Sequence, residues 1–343
     1  MKRLRRAFEG GRRAPRDVDA ALRDALLAVL DRDLDRAEDL LAWALRQDSK
    51  AVEPYLALAR LYRTRGEVGR AIRVHQNLLL RHDLTSEQTI AALADLAADF
   101  RKGGFLQRAI ASYEEVLTRD SRHRGALAAL VSLHSGVRDY PRAIEANRRL
   151  ARIEKRDASS EESVLLVDMA RTAQAEGRDD DARKAVKRAL RRDPGSVRGL
   201  ILLGELEAER GRKKKALKAW TMVPALDRRS GPRVYSQLEA VYASLGRGPE
   251  FETYLRGLLE EQPTDGRARV ALARTMAARG DVDEAIVELR RVLEHEADDL
   301  QARGDLGRLL LAERRDAEAS KEYAELLDML DRRGLLRAPE KIS

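Results

Sequence analysis

Five histidines, His75, His82, His123, His134 and His295, are the side chains best suited to proton transfer or metal binding near neutral pH. His75 and His82 stand seven residues apart, with no carboxylate or cysteine at i+3 or i+4 to complete a helical ligand pair. His134 reads as a packing residue. The chain has no cysteine, so disulfides, thiol nucleophiles and thiolate metal sites are excluded. Glycine-rich phosphate loops, nucleophile elbows and zincin motifs are missing, and Gly10-Gly11-Arg12-Arg13 follows no strand pattern. These residue types support no catalytic residue, no cofactor and no metal. The chemistry left is charge: 66 lysines and arginines face 58 acids, a net +8. Such a balance suits acidic protein, anionic membrane or nucleic acid, and equally an ordinary solvated helix surface.

The elements that must position these charges follow from eight alanines: Ala37, Ala71, Ala109, Ala143, Ala182, Ala216, Ala285 and Ala319. Their separations are 34, 38, 34, 39, 34, 69 and 34 residues, and Phe251 fills the missing place in the 69. A 34-residue period is that of a helix–turn–helix unit that buries its apolar face only by stacking on copies of itself. With alanine as the twentieth place, units start near 18, 52, 90, 124, 163, 197, 232, 266 and 300. The expected fold is an all-α superhelical solenoid of about nine repeats over residues 18–330, after a basic arm at 1–17 and before a tail at 331–343. A composition of 4% aromatic and 36% charged residues agrees, and the nine prolines leave the expected helices uninterrupted.

Other places fall into the same frame. The eighth is small at Ala25, Ala59, Ala97, Ala170, Gly204, Ala273 and Gly307, which lets the two helices of a unit approach closely. The fifteenth is glycine in six units, where the backbone must turn left-handed to end the first helix. Four extra residues precede the third unit and five the fifth, with capping-box spacing at Thr85/Gln88 and Ser159/Glu162. Two readings fit: an earlier helix start, or a change of pitch between subarrays. The seventh unit is the least regular, with Glu239 at the small place and Phe251 for alanine.

A stack of this kind has a concave surface lined by first helices, reached by places two, nine, twelve and thirteen. Those places hold Arg60, Arg63, Arg101, Lys102, Arg171, Arg198, Arg233, Arg267, Arg274 and Arg308, against fewer acids, Asp19, Glu53, Glu205 and Glu209. A basic trough suits an acidic peptide or a carboxylate terminus. Chance asymmetry on a solvated face explains the same residues. Asn77 and Asn147, the only asparagines, lie on second helices, so an asparagine clamp on a peptide carboxylate has no residues to use. In residues 1–16 of the arm, Lys2, Arg3, Arg5, Arg6, Arg12, Arg13 and Arg16 oppose only Glu9, which reads either as a contact to anionic lipid or as a plain basic tail.

These repeat places resemble the tetratricopeptide repeat from about Val18 to about Leu330. Arg65-Gly66-Glu67-Val68-Gly69-Arg70-Ala71-Ile72, Leu84-Thr85-Ser86-Glu87-Gln88 and Arg124-Gly125-Ala126-Leu127, with the two long junctions, are more specific. They resemble the lipopolysaccharide assembly protein B family, most closely from Val52 to Ile144. That resemblance implies a non-catalytic adaptor at the cytoplasmic face of the inner membrane, presenting the deacetylase of lipid A synthesis to a membrane-bound metalloprotease. Family members also carry an N-terminal membrane helix and a rubredoxin-like module, neither matched by these residues. The expectation is a cytoplasmic protein-binding scaffold, or one peripheral at the inner membrane. The alternatives are a general bacterial scaffold for acidic peptides and a basic nucleic-acid-binding repeat protein. Scarce aromatics weigh against the last.

Overall fold

Place twenty sets the packing. Ala37, Ala71, Ala109, Ala143, Ala182, Ala216, Ala285 and Ala319 are each 0% exposed, and Phe251 is 1% exposed. At each of these places one helix lies against its partner with no room for a larger side chain, except in the seventh unit. The computed structural model describes Pro15 and residues 17–335. The basic arm, apart from Pro15 and Asp17, lies outside them, as does the tail beyond Leu335.

The chain packs as two units, divided at Leu165. In the first, helices alternate as first and second members of each repeat. They are α1 (Val18–Leu30), α2 (Leu34–Gln47), α3 (Glu53–Thr64), α4 (Val68–Leu79), α5 (Ser86–Lys102), α6 (Leu106–Arg119), α7 (Arg124–Gly136) and α8 (Tyr140–Glu154). The division falls inside α9 (Ser159–Ala175). The second unit continues with α10 (Asp179–Arg192), α11 (Val197–Glu209), α12 (Lys213–Trp220), α13 (Val223–Leu226), a 3-10 turn at Arg228–Arg233 and α14 (Tyr235–Ser244). It ends with α15 (Gly248–Glu261), α16 (Gly266–Arg279), α17 (Val282–His295), α18 (Leu300–Ala312) and α19 (Asp316–Arg332). The described residues are all-α, a stacked-repeat fold in each unit.

The small eighth place has a second cause besides the facing alanine. A Cβ on Gly307 would lie 2.9 Å from the Tyr323 ring, and one on Gly204 would collide with Trp220. Both aromatics come from the second helix, one turn beyond the twentieth place. Glycine there makes space for a large ring, and Trp220 Nε1 donates to the Ile201 carbonyl at 3.1 Å so that its polar edge is satisfied.

The turn between helices is left-handed in all nine units. Six use glycine at place fifteen, such as Gly66 at φ 81° and Gly280 at φ 105°, while Arg32, Arg138 and Arg314 hold φ of 59°, 62° and 58° at the same place. An L-residue with a Cβ costs roughly 1–2 kcal/mol there, part of which the added chain entropy of glycine offsets. Arg138→Gly is therefore expected to stabilise the first unit by about 0.5–1 kcal/mol. A chemical-denaturation midpoint that stays put or falls contradicts this.

Helix α5 starts at Ser86, one turn ahead of Ile90, under a complete capping box: Thr85 Oγ1 accepts from the Gln88 N–H at 3.1 Å and Gln88 Oε1 from the Thr85 N–H at 3.0 Å. Helix α9 likewise starts early, at Ser159, with the Asp157 carboxylate accepting from the Ser159 N–H at 3.1 Å. Glu162 is buried and takes two bonds from Arg148, at 2.9 and 2.5 Å.

One expectation fails. The second helix of the sixth repeat is interrupted after Trp220, because Pro224 has no N–H for the Trp220 carbonyl and its ring crowds that turn. The following 3-10 turn contains Pro232 and delays the next helix to Tyr235.

Candidate partner-binding site

The cations read from the first-helix face are mostly held by acids of neighbouring helices. In the first unit, Arg60 Nε donates to Asp95 Oδ2 at 2.8 Å. Arg63 spans two carboxylates, Asp95 Oδ1 at 3.0 Å and Asp99 Oδ1 at 2.7 Å, and also bonds the Asp95 carbonyl at 3.1 Å. Asp99 is 0% exposed, and its other oxygen accepts from His75 Nδ1–H at 2.6 Å. His75 is equally buried and its Nε2 meets no polar partner. This imidazole–carboxylate contact has the atoms of an acid–base pair but is sealed from solvent, so its role is to tie α4 to α5. Among the described residues no group of three or more metal-ligating side chains converges.

In the second unit the same logic repeats. Arg274 Nε donates to Asp305 Oδ2 at 2.6 Å, and Arg308 also bonds Asp305. Arg198 reaches Asp168 at 2.7 Å, Arg171 lies 3.8 Å from Glu205, and Arg267 contacts Asp299 at 3.4 Å and Gln301 at 2.5 Å. Burial raises the Glu205 pKa, with Arg171 pulling against it. Burial likewise raises that of Glu239, which sits 3.9 Å from an Arg274 already bonded to Asp305. Asp95, Asp168 and Asp305 share the sixth place of their units. Arg274 and Asp305 are 31 residues apart, and Arg60 and Asp95, at the same two places, are 35 apart because the four-residue insertion lies between them.

Three of the ten cations remain. Arg101, Lys102 and Arg233 are exposed and make no ion pair among the described residues. The first-helix face also carries two grooves. One, of about 400 Å³ in the first unit, has Leu22, Leu26, Val29, Leu56 and Leu61 in its lining with Arg60 beside them. Leu26 is 64% exposed and Val29 38%. The other, of about 330 Å³ in the second unit, is walled by Tyr242, Phe251, Glu239, Arg274 and Arg279. The apolar groove escaped a search for cations, although Leu22, Leu26 and Val29, at helical spacing on one face of α1, were its visible signal. Within each unit, these features give a surface that can take apolar side chains beside fixed charges, an arrangement for binding a protein segment.

A tetratricopeptide-repeat family model matches residues 138–298, and two further models of that repeat match 55–88 and 277–332. Lipopolysaccharide assembly protein B of Escherichia coli strain K12 is 29% identical over 266 residues, spanning 78% of this chain and 68% of that protein. The Haemophilus influenzae protein of the same name is 27% identical, over 72% of this chain and 66% of its own length. Among solved structures, MamA from Desulfovibrio magneticus RS-1 superposes with a TM-score of 0.38 at 14% identity, over 49% of this chain and 94% of its own. The alanine period, the left-handed turns and the family-model matches agree: the chain is built of tetratricopeptide repeats and is similar to lipopolysaccharide assembly protein B.

Proposed function

We infer that this protein is a protein-binding scaffold in lipopolysaccharide assembly, an adaptor that brings a client enzyme of lipid A synthesis to a membrane protease. The observation that supports this reading most is the similarity to lipopolysaccharide assembly protein B along most of the repeat region. The repeat fold supplies the means, since stacked helix pairs offer long surfaces and little that resembles a catalytic cleft. Contact with the inner membrane belongs to the same reading. No described helix is long and apolar enough to cross a membrane, so attachment through the described residues would be peripheral.

Partner contact is assigned to the first-helix face. In the first unit the groove of Leu22, Leu26 and Leu56 takes apolar side chains of the partner, and Arg101 and Lys102 meet its acids, with the paired Arg60 and Arg63 as polar rim. In the second unit Arg233 meets acids of the partner, and the paired Arg171, Arg198, Arg267, Arg274 and Arg308 present the polar rim of that unit's own first-helix face. Leu26→Asp is expected to weaken capture of the partner at least ten-fold, because it sets a charge in the apolar floor. Arg101→Glu with Lys102→Glu is expected to weaken it several-fold. Leu26 is largely exposed, so its change costs little stability, whereas acids in the last turn of α5 oppose the helix dipole by up to about 1 kcal/mol. Affinity measured on captured partner, beside melting curves for the same variants, is the test. Unchanged capture in both variants contradicts the assigned face.

A further inference from the structure

Two second helices, α10 and α12, hold a dense run of bases. Residues 183–192 of α10 and 210–218, which include the start of α12, hold twelve lysines and arginines and no acid, more than the +8 of the whole chain. The structure brings bases of both segments to one residue of the helix between them, α11. Arg183, Lys187 and Arg212 converge on one buried carboxylate, Glu207, at 2.5, 3.8 and 3.5 Å. The Lys187 ammonium is held below the usual lysine range by its burial and then by Arg183, with Lys215 and Arg212 adding to the effect. One carboxylate shared by three cations cannot neutralise the cluster.

Around this centre stand Arg188, Arg191, Lys213, Lys214, Lys215 and Lys218, none with an ion pair among the described residues. All but half-buried Lys213 are exposed. The contrast with the first-helix face, where seven of the ten cations meet an acid, indicates that these charges do not hold the fold together. What they share is an outward face. None of the grooves described above reaches them, so they offer no cleft for a peptide, and no exposed aromatic stands among them to stack a base.

The stripe ends in apolar side chains. Thr221 and Met222 keep right-handed helical dihedrals after α12, so Lys214, Lys218 and Met222 follow one another at helical spacing. Met222 is 42% exposed and Leu226 48%. A grooveless, lysine-rich surface tipped with exposed apolar groups suits the interface of an anionic bilayer, where the ammonium groups meet lipid phosphates and the tip enters the acyl boundary.

We propose that the second-helix face formed by α10 and α12 is a docking surface for anionic lipid, separate from the face that binds the partner protein. Its strength comes from the summed attraction of cations, each contributing about five-fold at low salt. The full-length chain is mixed with phosphatidylglycerol vesicles, with neutral phosphatidylcholine vesicles and with duplex DNA. The quadruple variant Arg188→Gln, Lys214→Gln, Lys215→Gln and Lys218→Gln is expected to lose about six-hundred-fold in phosphatidylglycerol binding at low salt. Its melting curve should match the parent, and neither protein should bind the neutral vesicles. Met222→Asp should weaken vesicle binding several-fold and leave DNA binding alone. Quadruple-variant binding equal to the parent overturns the proposal and moves any lipid contact to the N-terminal arm. A Met222→Asp variant that binds vesicles normally, in a protein whose vesicle binding is abolished by duplex DNA, overturns it in favour of nucleic acid.

Discussion

Arg63→Glu should lower the stability of the first unit by about 3–5 kcal/mol, the usual cost of removing one partner from a buried ion pair. Arg63 supplies a cation to Asp99, which is 0% exposed and already carries the bond from His75. Reversal leaves that carboxylate without its counter-charge and adds a third acid beside Asp95 and Asp99. Because repeats interact mainly with their neighbours, the loss should concentrate in residues 52–119 and appear there as faster amide exchange. Arg60→Glu is the internal comparison: its side chain is 55% exposed and touches only Asp95, so solvent screening should leave a much smaller loss. Equal melting of the two variants would show that burial does not govern this network. Stability must therefore be measured before any binding defect of an Arg63 variant is assigned to the partner.

A similar loss, about 3–5 kcal/mol, is expected for Phe251→Ala. The repeat pattern alone argues the reverse, since alanine is the residue at that place in the other eight units. The structure gives the reason to expect damage. Phe251 is 1% exposed and lies between Tyr242, at 5.1 Å between ring centroids and 20°, and Tyr254, at 6.2 Å and 14°. Glutamate at the facing eighth place provides no apolar volume to refill the gap, so truncation leaves a cavity and strips two ring contacts. Tyr254 would also lose support for the bond from its hydroxyl to the Thr221 carbonyl at 3.2 Å. A higher denaturation midpoint for Phe251→Ala would mean that the seventh repeat tolerates its ancestral-looking residue and that the aromatic stack contributes nothing.

The repeat places were legible because they are imposed by close packing and turn geometry, which each unit must solve again. The buried alanines and the six turn glycines follow directly from that. Arg32, Arg138 and Arg314 were not legible as left-handed residues, because the demand comes from the turn and their side chains carry no trace of it. The break before Pro224 was readable in principle, since a proline four residues after Trp220 cannot continue a helix. It was masked by an otherwise regular period.

Counting charge on the first-helix face named ten cations and missed most of the acids that hold seven of them. Places two, nine, twelve and thirteen were compared with acids at those same places, which include only Glu205 among the partners; most of the others occupy the sixth and tenth, Asp95, Asp99, Asp168 and Asp305, and Asp299 stands just before the ninth unit. Ion pairs between repeats join different places, so charge must be compared between units as well as within one. Conversely, Arg188, Lys214 and Lys218 drew no notice on the second helices, although no acid occurs in the two segments that hold them.

The central claim, a scaffold that joins a client enzyme to a membrane protease, is tested most directly by crosslinking the tagged full-length chain in its native cell and identifying the captured proteins. The expected capture contains both a membrane-bound metalloprotease and a deacetylase of lipid A synthesis, and both fall at least ten-fold with Leu26→Asp at unchanged expression. Recovery of neither protein, or equal recovery with the Leu26 variant, would contradict the account.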